Sequence, residues 1–480
     1  MNDKTYTYRI RLSDTKTVNV EKQGPNNNDR GHPSGDFQLN EDRKTKITEL
    51  KAKAAIDEDE IIELGTALFE ALFDSELKND LLLFYDEVVH KNDALLRIEL
   101  DINEKDLPFI ASLPWEFLHV PSNKITGNLW LATSPDVVFS RHRARWVAPE
   151  PIQLDPGEKL RISIIVSAPR DKNLGKVDYQ KLYKELQELT ADLGDNIDLE
   201  LVDPEQQPAT RQNIGKVLER KPHIFHFIGH GQFTKKGEQD IGEIAVVRDN
   251  GLARWVSAAQ FSNLFTRHRP GIVFLQACEG GQLSSSTAFA GVASQIVQQN
   301  IPVVMAMQYE VSNATARRFA REFYERLAKG EPVDKAAQEG RNRIADWHET
   351  RDFATPVLFM RVRNGRLFQR KGGATSTTSV ATQPTSGGVT TPPEPIEIPP
   401  APATLTLPQV ASLGRQISQN FNEEELRGFC LEIGIDYEDL RGSSKSSKAR
   451  ELVDYCRRQG KVPLLWEQLH IQRPHIKWQV

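Results

Sequence analysis

The sequence predicts an α/β fold with a mainly parallel sheet flanked by helices, followed by a small all-α domain. Three observations predict it. Nearly continuous apolar runs such as Leu160–Val166 (LRISIIV) and Gly271–Ala277 (GIVFLQA) suit strands buried on both faces. Segments with apolar residues at helical spacing alternate with those runs, the rhythm of a parallel sheet. A Thr/Pro/Gly-rich stretch at 371–408 then precedes a tail whose periodicity is helical throughout.

Taken in order, Thr5–Leu12 reads as a first strand, and 24–46, rich in Asn, Gly, Asp and Pro, as a loop. Ile61, Leu64, Leu68 and Leu72, then Leu81, Leu82, Phe84 and Val88, predict two helices broken near Asp74. Leu95–Leu100 alternates as a strand. After the Leu160–Val166 strand, Asp178 is placed to cap a helix with Leu182, Leu186 and Leu189 on one stripe. Strands follow at Ile197–Val202 and His223–Ile228, with a helix capped by Thr210 between them. Ile244–Val247 and Ala253–Val256 flank Asp249-Asn250-Gly251, a hairpin turn. Beyond Gly271–Ala277 come a helix (Ala288–Val297), a strand (Val303–Met307), two helices (Ala314–Leu327 and Val333–Ala345) and a last strand (Pro356–Val362).

Residues 371–408 bury too little apolar surface to offset their ordering entropy, so they are expected to form a linker. Helices are expected over Glu423–Leu431, capped by Asn422, over Lys448–Arg458, and from Pro463 onward. The expected organisation is an N-terminal region 1–93 that is part of the next domain or packed on it, an α/β domain 94–370, the linker 371–408 and a helical domain 409–480.

A chain of 480 residues with a net charge of −5 has no global attraction for nucleic acid or membrane surfaces. The first residues are polar, and no apolar run approaches the ~18 residues of a membrane helix. The three cysteines, Cys278, Cys430 and Cys456, form no C-x-x-C pair, so neither a zinc cluster nor a disulfide framework is expected. A reducing, cytoplasmic setting fits that usage. Phosphate-loop and G-x-S-x-G motifs do not occur, and no cofactor is implied.

Two segments carry chemistry. Phe227-Ile228-Gly229-His230-Gly231 ends one predicted strand, and Gln276-Ala277-Cys278-Glu279-Gly280-Gly281 ends another. In open α/β sheets, function collects at the carboxyl ends of strands. A free thiol ionises near ~8.5 and reacts as thiolate. An adjacent imidazole takes its proton and later protonates a leaving amine. Cys278 is therefore the candidate nucleophile and His230 the candidate base. The flanking glycines admit a peptide backbone, and the Gly231 and Cys278 N–H groups are candidate oxyanion donors. His226 and His230 are spaced as H-x3-H, but on a strand they lie too far apart for one metal ion, so no metal site is expected. Cys430 and Cys456 fall on helical apolar stripes and read as core.

These motifs resemble the clan CD proteases: caspases, separases and bacterial CHAT domains. The spacing of His and Cys is the roughly 50 residues of caspases, and the Gln-Ala-Cys-x-Gly pattern is met with Glu279 in the variable place. Leu113-Pro114-Trp115-Glu116 looks like the CHAT "LPWE" element, with Trp115 and Glu116 expected in a packing role. The likeness runs from about Ala94 to Phe368. It implies a caspase/separase-like sheet and a cysteine endopeptidase acting on a protein substrate. It also implies Gln276 as a candidate for the substrate pocket; Glu279 reads either as a charge of that pocket or as an exposed loop residue. Two rivals stay open: a CHAT-like scaffold that has lost activity, and a thiol hydrolase acting on small esters.

In the tail, charges are mostly acidic over 423–439 and mostly basic over 441–461. Two solvated helix faces account for this; so does a bipolar module docking one copy on another. The segment resembles the effector-associated, death-fold-like domains of bacterial conflict systems. That resemblance implies a homotypic adaptor or sensor as partner of 409–480, and a role in bacterial defence or programmed cell death.

Overall fold

The computed structural model describes residues 5–172, Leu174, Lys184, 196–277, 283–370 and 402–478. Excepted within those ranges are 26–27, 54–55, 105, 143–147, 237–238, 299–300, 310–311, 346–347, 349, 403–404, 422, 434, 436, 438–439, 441, 443–444, 460 and 474–477. The helix expected after Asp178, the Asn422 cap and nearly all of the 371–408 linker therefore lie outside the described residues. The chain divides into two compact units, 1–377 and 378–480.

The first unit is a mainly parallel sheet flanked by helices. Its N-terminal part supplies β1 (Thr5–Leu12), β2 (Thr17–Gln23), β3 (Asp29–Gly31), β4 (Ser34–Asp36), α1 (Glu41–Ala52), α2 (Glu58–Leu72), α3 (Ser75–Tyr85) and β5 (Leu95–Ile102). Asp74 caps α3 by accepting from the Glu76 and Leu77 N–H groups, which is why the long apolar stretch breaks there. The region read as loop from 24 to 46 instead holds β3, β4 and the start of α1. Asn40 caps α1, but only Ile47 and Leu50 are buried along it, too sparse a stripe to announce a helix.

After the short α4 (Pro108–Ala111) come β6 (His119–Asn123), β7 (Gly127–Trp130), β8 (Val137–His142), β9 (Ile152–Leu154), β10 (Leu160–Val166) and β11 (Ile197–Val202). Next are α5 (Arg211–Glu219), β12 (Ile224–Gly229), β13 (Gly231–Lys236), β14 (Gln239–Val247), β15 (Ala253–Ser257), α6 (Ala258–Ser262) and β16 (Ile272–Ala277). The unit ends with α7 (Leu283–Gln298), β17 (Val303–Met307), α8 (Asn313–Ala328), α9 (Val333–Arg343), β18 (Pro356–Met360) and β19 (Phe368–Arg370).

Twelve strands form the main sheet, in the order β11-β10-β12-β16-β17-β18-β8-β5-β1-β2-β3, with β4 also on β2. Pairings from β11 through β17 are parallel, β18 runs antiparallel to β17, and β8, β5 and β1 are parallel again. The alternation of β12 and β16 buries residues on both faces. Ile224, Ile228, Ile272 and Phe274 pack on one side with Phe319, Phe323 and Tyr324 of α8. Phe225, Phe227, Val273 and Leu275 pack on the other with Phe261 and Phe265. Such two-sided burial explains the unbroken apolar runs in the sequence. The buried pair Arg97–Asp334, 2.6 Å apart, joins β5 to α9.

The second unit is helical: α10 (Leu407–Asn420), α11 (Glu423–Glu432), α12 (Lys445–Arg458) and α13 (Val462–Gln472). Val410, Leu413, Phe429, Leu452, Leu465 and Leu469 are among the residues of its core. Cys430 and Cys456 are buried there, and burial pushes the Cys456 thiol up to about 12. α10 begins inside the stretch read as linker, because Pro408 occupies a first-turn position that tolerates it.

Among the described residues no helix is long and apolar enough to cross a membrane.

Candidate active site

Strands β10, β12 and β16 run side by side and end along one edge of the sheet. The register pairs Ile228 with Gln276 and Gly229 with Ala277. His230 is the next residue after Gly229, at the junction of β12 and β13, and is 2% exposed. Cys278 and Glu279, which follow Ala277 in sequence, lie outside the described residues.

The His230 turn is fixed by backbone contacts. The Ala245 N–H donates to the His230 carbonyl at 2.9 Å, and the Ser167 N–H donates to the Ile228 carbonyl at 2.7 Å. The buried Ser167 hydroxyl donates to the Ala245 carbonyl at 2.7 Å. Ser167 thus ties the ends of β10, β12 and β14 together. A Cβ on Gly229 would stand 2.9 Å from the Phe227 ring and 3.1 Å from the Ser167 Cβ, so close approach requires glycine there. Gly231 opens β13, paired with Ile244 of β14.

Beneath this edge lies a buried polar chain. The Tyr324 hydroxyl of α8 is 2.9 Å from His226 Nδ1, and His226 Nε2 is 3.1 Å from Gln276 Oε1. The acceptor-only oxygen of Gln276 assigns the imidazole proton to Nε2, leaving Nδ1 to accept from Tyr324. Burial lowers the His226 pKa to about 3, against a smaller opposing effect of the Gln276 bond, so the ring is neutral. His226 also stacks on Phe274 with ring centres 4.2 Å apart. Gln276 itself is 2% exposed: its amide is turned to His226 under the strand ends rather than onto an open wall. His223 sits at the opposite end of β12. Its pKa is lowered to about 4 by burial and then by Arg161.

Trp115 and Glu116 are fully buried. Trp115 Nε1 donates to the Ile110 carbonyl at 2.9 Å. Arg141 Nε donates to Glu116 Oε1 at 2.9 Å, and the Gln308 amide donates to Glu116 Oε2 at the same distance. Arg141 also donates to the Ala111 and Leu113 carbonyls. The Leu-Pro-Trp-Glu element is therefore a buried clasp between β8 and the end of β17.

Sequence reasoning missed Ser167, the β13 strand and the Tyr324–His226–Gln276 chain. A serine closing the apolar run of β10 is a signal for the first. The chain joins residues 98 and 50 positions apart, which no local pattern reveals. Among the described residues no group of three or more His, Cys, Asp or Glu is arranged to hold a metal ion.

The family model described as CHAT domain matches residues 63–377, and that described as effector-associated domain 7 matches residues 413–474. No curated protein matches the chain. Among solved structures, the Saccharomyces cerevisiae separase–securin complex is similar at 12% identity and a TM-score of 0.43, covering 74% of this chain and 30% of that one. The Drosophila initiator caspase Dronc is similar at 10% identity and a TM-score of 0.28, covering 45% of this chain and 82% of that one. This chain thus spans less than a third of the length of the separase chain.

Proposed function

This chain belongs to the CHAT-domain family, and on that premise we propose that it is a cysteine endopeptidase with Cys278 as nucleophile and His230 as general base. The observation that carries the reading is the register. Gly229 pairs with Ala277 on two adjacent parallel strands, and the proposed base and nucleophile are the residues that follow this pair in sequence.

In the proposed reaction, His230 accepts the Cys278 proton and the sulfur attacks the scissile carbonyl carbon. The Gly231 and Cys278 N–H groups hold the oxyanion. His230 then protonates the leaving amine, and water, deprotonated by His230, releases the acyl group from the thioester. Gln276 and Glu279 are the proposed pocket residues. Gln276 acts from beneath, since its buried amide is held by His226.

The effector-associated match supports residues 409–480 as the recruiting module, which docks on a homotypic adaptor or sensor and raises the local concentration of the enzyme. The proposed role in bacterial defence or programmed cell death rests on the resemblance of this segment to effector-associated domains.

The test is mapping of new protein N-termini in a proteome exposed to the active chain, to Cys278→Ala and to His230→Ala. Cleavage products confined to the parent are expected. Products that persist undiminished in either variant overturn the assignment.

A further inference from the structure

We propose that the face beside the His230 turn is a docking groove for an acidic segment of the polypeptide substrate, anchored by one apolar side chain. This rests on the reading of His230 and Cys278 as the reacting pair. The groove, of about 1030 Å³, is lined by residues of α5, of β14 and of the β14–β15 hairpin. Arg211 and Lys216 stand on α5, and Arg248 and Arg254 on the hairpin side. All four are exposed, and among the described residues none is held in an ion pair. Glu219 and Asp249 also line the groove, so four cations face two carboxylates. A surplus of solvated cations along one groove attracts anionic partners and sets the orientation in which they bind.

A second cavity, of about 150 Å³, shares Arg211, Val246 and Arg254 with the groove. Val256 and Leu264 give it an apolar wall. Its volume is several times the ~30 Å³ share of one liquid water, enough to seat an aliphatic side chain. Leu252, 42% exposed, adds apolar surface beside Arg248, whose N–H donates to the Leu252 carbonyl at 2.8 Å. Alternating charged and apolar features suit a polypeptide rather than a free anion.

The groove shares strand β14 with the proposed site. Val246 and Val247 stand on β14, where Ala245 bonds to His230 and Ile244 pairs with Gly231. At ~3.3 Å per residue, Val247 lies about 10 Å along the strand from that pairing. A substrate extended over His230 reaches the groove within about three residues.

The full-length Cys278→Ala chain, which binds without turnover, is titrated at low salt with a short fluorescein-labelled peptide of Asp and Glu around one Leu. Saturable binding that weakens with salt is expected. It should fall at least about tenfold in Arg211→Glu/Arg254→Glu, in Lys216→Glu/Arg248→Glu, and when the peptide Leu becomes Ser. Unchanged melting temperatures check that these surface variants fold. Equal binding by the charge variants, or by a peptide with Asn and Gln in place of the acids, overturns the proposal. So does tighter binding of single-stranded DNA, or of a peptide copying this chain's own residues 423–439. Binding as expected, with cleavage surviving Cys278→Ala, would refute the nucleophile and leave the groove standing.

Discussion

Burial holds two histidines neutral, His226 within β12 with a pKa lowered to about 3 and His223, just before that strand, to about 4. The unfolded chain takes up protons near the ordinary value of 6.5 that the folded chain refuses. Their stabilising effect is complete above about pH 6.5 and is lost as pH falls toward 4 and then 3. Urea unfolding between pH 7 and 5 should show stability falling with pH, and His226→Gln should flatten the slope. A slope unchanged by that substitution counts against the neutral buried ring. Tyr324→Phe leaves His226 Nδ1 without its donor and should cost about 1–3 kcal/mol by the same measurement. Glu116 is a harsher case. Glu116→Ala strands the Arg141 guanidinium in the core and should cost about 3–5 kcal/mol. A loss under 1 kcal/mol would show that water reaches the pair. The strand end before His230 and Gly231 was legible because a His-Gly pair closing an apolar strand is a local pattern. The partners of His226 and Glu116 were not, since they come from distant segments that only the fold assembles.

At the scale of elements, Gly65 decides how α2 meets the two-stranded β6–β7 ribbon. A Cβ there would run into the Phe117 carbonyl and stand 2.7 Å from the His119 Cβ and 2.9 Å from the Trp130 ring. Alanine gains about 1 kcal/mol of helix propensity, but overpacking against backbone costs about 1–3 kcal/mol or more. Gly65→Ala should therefore lower the thermal midpoint, and a raised midpoint would mean that α2 has room to shift. The strands of the parallel sheet were readable because two-sided burial makes them unbroken apolar runs. α1 was hidden by its sparse stripe and α10 by the proline-rich composition before it. β13 escaped because Gly231-Gln232-Phe233-Thr234-Lys235-Lys236 alternates weakly and shares its start with the His-Gly motif.

At the scale of the molecule, each unit has its own core. The second encloses Val410, Leu413, Phe429, Leu452, Val453 and Leu465 among others. A fragment beginning at residue 402 should therefore keep its helical circular dichroism and melt cooperatively. The full chain should show two calorimetric transitions. A fragment with a coil spectrum would mean that the second core needs outside support.

β1 pairs with β5 residue for residue, from Thr5 beside Leu95 to Leu12 beside Ile102. A chain shortened to begin at residue 94 would strip that cover. Leu96, Ile98 and Leu100 would then lie along a bare row of amide and carbonyl groups, a template on which another copy can add itself. Residues 5–12, themselves covered by β2, thus keep β5 from pairing with another copy.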